Sequence, residues 1–63
     1  MVDAAAAKAE RAALAYFASP EPDPAVMRAI RERRAAVHRA RSPAERRAAV
    51  REFASMLDAQ GIR

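Results

Sequence analysis

The sequence predicts a small all-α protein of three helices, in which the second and third form an antiparallel hairpin preceded by an alanine-rich helix. Three observations carry that expectation. Nineteen of the 63 residues are alanine and one is glycine, a composition that strongly favours helix. The four prolines sit at helix boundaries or in the connector between helices rather than inside a helix. Between them, apolar residues recur at spacings of three and four.

Each element has its own boundary signals. Asp3 is placed to cap a first helix over about residues 4–18. Ser19-Pro20 ends it, because the residue before proline avoids the helical region. Residues 19–24, Ser-Pro-Glu-Pro-Asp-Pro, form a stiff, extended connector. Asp23 then takes an N-cap position with Pro24 at the first helical position, which opens a second helix over about 24–40. Ser42-Pro43-Ala44-Glu45 is a capping box that starts a third over about 43–60. Gly61 closes that helix, with Ile62 positioned to fold back on Leu57.

Turning each helix by 100° per residue sorts its faces. In the second, Val26, Ile30 and Val37 align with Ala29, Ala36 and Ala40 as a core face; in the third, Ala49, Val50, Phe53, Met56 and Leu57 cluster. These two faces match, and the short Arg41-Ser42-Pro43 link makes the hairpin. The first helix is divided. Leu14, Phe17, Ala13 and Ala6 share a side interrupted by Glu10, and Tyr16 points almost the opposite way. The expectation is a helix lying between its own hairpin and a second surface, and more dependent on association than the hairpin is.

A chain of 63 residues is one small domain, near the size at which a single core is marginal. No cysteine is present to staple it, and one histidine among scattered carboxylates makes no metal cluster and no cofactor motif. Thirteen sizeable apolar side chains follow Met1, each contributing roughly 1.5–3 kcal/mol if buried. The ordering cost is roughly 1.5 kcal/mol per residue. The balance is near zero, so association with a larger partner or with a second copy is a physical expectation. No run approaches the roughly 20 apolar residues of a membrane span. The start lacks the charged and leucine-rich regions of a secretory signal, which points to a cytoplasmic location.

Charge is the strongest functional signal. From Arg28 to Arg51 the chain carries nine arginines against Glu32 and Glu45, a net +7 (9 − 2) within a total of +4. Arg31, Arg34, His38 and Arg41 form a stripe beside the core face of the second helix, with Met27 inside it and Arg28 and Arg39 on its far flank. Tyr16 is the aromatic without a place on a core face. Together these make a candidate partner-binding set. Guanidinium groups suit carboxylates on an acidic protein, and arginine, methionine and tyrosine are favoured at protein interfaces. The alternative partner is nucleic acid, through phosphate contacts by the same stripe; the plainest reading is a solvated helix face. Arg33, at the edge of the core face, is placed to reach Glu45 or Glu52 on the third helix. His38 has neither a nucleophile nor an orienting carboxylate beside it, so no enzyme is expected.

Overall fold

A computed structural model of the chain describes residues 4–62. It contains three helices, α1 (Ala4–Phe17), α2 (Pro24–Arg39) and α3 (Pro43–Ala59). All three fall within one or two residues of the boundaries set by proline and cap chemistry. The Asp3 cap expected for α1 lies outside the described residues.

The local chemistry explains where α2 and α3 begin. Asp23 is extended (φ −73°, ψ 124°), so its carboxylate can turn back and accept from the Ala25 N–H at 2.8 Å. Its carbonyl accepts from the Met27 N–H at 2.9 Å, the first turn of α2. Ser42 does the same for α3, its Oγ accepting from the Glu45 N–H at 3.1 Å. The Glu45 carboxylate returns to the Arg41 N–H at 2.9 Å, one residue further back than a reciprocal capping box requires. At the far end Gly61 adopts φ +72°, a conformation that a Cβ would strain. The Gly61 N–H then donates to the Asp58 carbonyl at 3.0 Å and the Ile62 N–H to the Leu57 carbonyl at 2.9 Å, which is a Schellman cap.

Packing joins the helices around one cluster. Ile30 and Val37 of α2 meet Val50, Phe53 and Leu57 of α3, with Val26, Ala49, Met56 and Ile62 half-buried around them. Ile30 at 0% and Phe53 at 2% exposure are its centre. The hairpin of α2 and α3 is therefore the body of the fold, and α1 packs mainly on α3.

The orientation of α1 differs from the expectation. Leu14 is 53% exposed, while Ala9 and Ala13 are buried and Ala6, Ala12, Tyr16 and Phe17 pack against the cluster. Leu14 and Tyr16 are opposed, as a 100° turn requires, but Tyr16 faces the core and Leu14 faces out. Two aromatic rings cover more apolar area than one leucine, and the alanine seam lets α1 approach α3 closely. This rotation also puts Glu10 at the helix edge, where it meets a cation instead of interrupting a core.

Candidate functional site

The candidate face is the side of α2 that the hairpin leaves uncovered. Arg28, Arg31, Ala35 and Arg39 recur at three- and four-residue spacing along it, so they share one stripe. Arg31, Arg34, His38 and Arg39 surround Ala35, and the short side chain among four long ones leaves a shallow, open depression.

Two residues of this face are tied to α1. Arg34 forms an ion pair with Glu10, through Nε and Oε1 atoms that are both shut off from solvent. The Arg31 guanidinium lies 5.6 Å from the centroid of the Phe17 ring, a cation–π contact. Arg33 reaches Glu52 at 3.4 Å rather than Glu45, whose carboxylate is engaged at the start of α3. Both partners of that pair are exposed, so it contributes little.

The predicted residues thus separate into groups. Arg28, Arg31, His38 and Arg39 are exposed along α2, and Met27 is half-buried. Arg34 is half-buried and paired; Arg41 is exposed in the link between α2 and α3. Tyr16 leaves the set. It packs against the core, and its hydroxyl accepts from the Asp23 N–H at 2.8 Å, so it holds the connector against α1. Among the described residues, no carboxylate lies within ion-pair distance of Arg28, Arg31, Arg39 or Arg41.

Two residues that matter here were not singled out for it by sequence pattern. Glu10 is the acid that holds Arg34 and Phe17 is the ring under Arg31. Both depend on how α1 is rotated, which no local signal sets. No protein-family model, curated protein or solved structure matches the chain. Its function is read from its own chemistry. Among the described residues no group of three histidine, aspartate or glutamate side chains could hold a metal ion, and no helix is long and apolar enough to cross a membrane. What the face offers is a row of guanidinium donors, suited to carboxylate or phosphate oxygens.

Proposed function

We propose that this chain is a non-enzymatic helical adaptor or regulatory protein of the cytoplasm that binds an acidic protein partner through the arginine face of α2. The observation that carries this reading is the row Arg28, Arg31 and Arg39, exposed on one stripe and without a carboxylate in range among the described residues. Like charges this close repel one another, and an acidic surface laid against them relieves that repulsion.

The same stripe suits phosphates, so nucleic acid is the second reading. The aromatic residues favour protein. Single strands are gripped by rings on which bases stack, and each ring here is engaged: Phe53 in the core, Tyr16 on the core with its hydroxyl bonded to the connector, Phe17 beneath Arg31. Duplex binding needs no rings and depends steeply on salt, with a log–log slope of roughly −0.9 per phosphate neutralised. Capture of partners by the tagged chain at physiological salt, with and without nuclease, tests the choice. Acidic proteins that stay bound after nuclease treatment are the expected result. Loss of every partner on nuclease treatment would transfer the function to nucleic acid.

A further inference from the structure

We infer that the depression over Ala35 takes a pair of carboxylates from the partner, gripped by Arg31 and Arg34, and that α1 holds these two arginines ready through Phe17 and Glu10. This inference rests on the adaptor reading above. It assigns the centre of that site to two of the arginines and makes Phe17 and Glu10 the positioning residues behind them.

Arg31, Arg34, His38 and Arg39 stand around the depression, which holds about 360 Å³ of open space and has no carboxylate in its lining. That is room for two carboxyl groups, since one water takes about 30 Å³ in the liquid. Arg31 and Arg34 are three residues apart on α2, which sets their Cβ atoms about 5–6 Å from each other, so one ligand meets both.

What separates these two arginines from Arg28 and Arg39 is how they are held. The Arg31 guanidinium lies 5.6 Å from the centroid of the Phe17 ring. An aromatic ring accepts no conventional hydrogen bond, so the contact steadies the group while its N–H donors stay available to an anion. Glu10 engages Arg34 through Nε, which is shut off from solvent, yet the Arg34 side chain as a whole is 43% exposed, so its exposure falls on the rest of the group. A carboxylate on Nε fixes the plane of the guanidinium and leaves the two terminal nitrogens, a fork that grips a second carboxylate bidentately. Ordering a long side chain at an interface costs affinity, and here α1 has ordered two of them before the partner arrives. By linkage, a partner seated on Arg31 and Arg34 tightens α1 on the hairpin by the same factor.

The probe is hexaglutamate, titrated into the full chain labelled with nitrogen-15 while the Nε–H signal of each arginine is followed by nuclear magnetic resonance. Arg31 and Arg34 are expected to respond together, at lower concentration than Arg28 and Arg47, which are exposed and have no such support. Two replacements that conserve charge test the positioning. Phe17→Leu keeps an apolar side chain against the core and removes the ring; Glu10→Asp keeps the carboxylate and shortens its reach. Each should weaken hexaglutamate roughly two- to tenfold, the ordering cost of one long side chain, and Phe17→Tyr should restore the original affinity. In Phe17→Leu the Arg31 signal should fall back to the concentration at which Arg47 responds, a change that a purely structural loss would not single out. Circular dichroism of the variants checks that the helices persist. Equal response of all the arginines, unchanged by either replacement, would overturn the inference while leaving recognition of acids by α2 intact. A hexathymidylate strand that moves Arg31 and Arg34 at lower concentration than hexaglutamate would overturn the carboxylate assignment in favour of nucleic acid. No response of any arginine to hexaglutamate would remove the adaptor reading, and this inference with it.

Discussion

Phe53 and Leu14 count equally in a tally of apolar residues and play opposite parts in the fold. Phe53 is 2% exposed in a cluster to which all three helices contribute side chains, whereas Leu14 is 53% exposed. Removing the ring leaves a cavity as well as lost transfer energy, so Phe53→Ala should cost about 3–5 kcal/mol. For a domain this small that is most of the stability available. Leu14→Ala removes little buried area and places the best helix former in an exposed position, so its effect should stay within about 0.5 kcal/mol. Urea titration of the two variants measures the contrast. A Leu14→Ala loss as large as that of Phe53→Ala would mean that α1 docks by its other face.

At the level of elements, what was legible in the sequence is what depends on neighbours along the chain. Asp23-Pro24, Ser42-Pro43 and Gly61-Ile62 act through bonds that span two to five residues, and all three sit at helix ends as their chemistry dictates. The hairpin was also legible, because Ile30, Val37, Val50, Phe53 and Leu57 leave one way for α2 and α3 to pair. The rotation of α1 was not. Its face is chosen among many alanines by what α3 can accept, and Glu10 has meaning only once Arg34 is beside it. For the same reason the positive charge of the site and the reach of Arg33 to Glu52 could be read in advance, while the arginines held by Glu10 and Phe17 could not. α1 places only Ala9 and Ala13 fully in the core, so it is the least anchored helix. In hydrogen exchange of the isolated chain, the amides of α1 should open at lower free energy than those around Phe53, and an added acidic partner should slow them. Uniform protection of all three helices would contradict this.

For the whole molecule, the balance of charges sets the response to salt. Opposing a net charge of +4 are two side-chain ion pairs among the described residues, one of them exposed at both ends. Exposed pairs contribute roughly 0–1 kcal/mol, so little stability is lost when salt screens them. Repulsion among the nine arginines between Arg28 and Arg51 outweighs that loss, and it weakens as the screening length falls to about 8 Å at physiological ionic strength. The thermal midpoint should therefore rise as sodium chloride is raised from about 10 to 150 mM. A fall over that range would show that the Glu10–Arg34 pair outweighs the repulsion.

The bond from the Asp23 N–H to the Tyr16 hydroxyl has an optical consequence. The chain has one tyrosine and no tryptophan, so nearly all of its near-ultraviolet signal comes from this one ring. That ring rests against the core, with its oxygen fastened to the residue that begins α2. Release of α1 would free the phenol on both counts, altering its emission and its near-ultraviolet dichroism. Undocking of the first helix is thus visible in the unlabelled protein, distinct from the far-ultraviolet signal that reports helix content, and the two can be followed in a single titration.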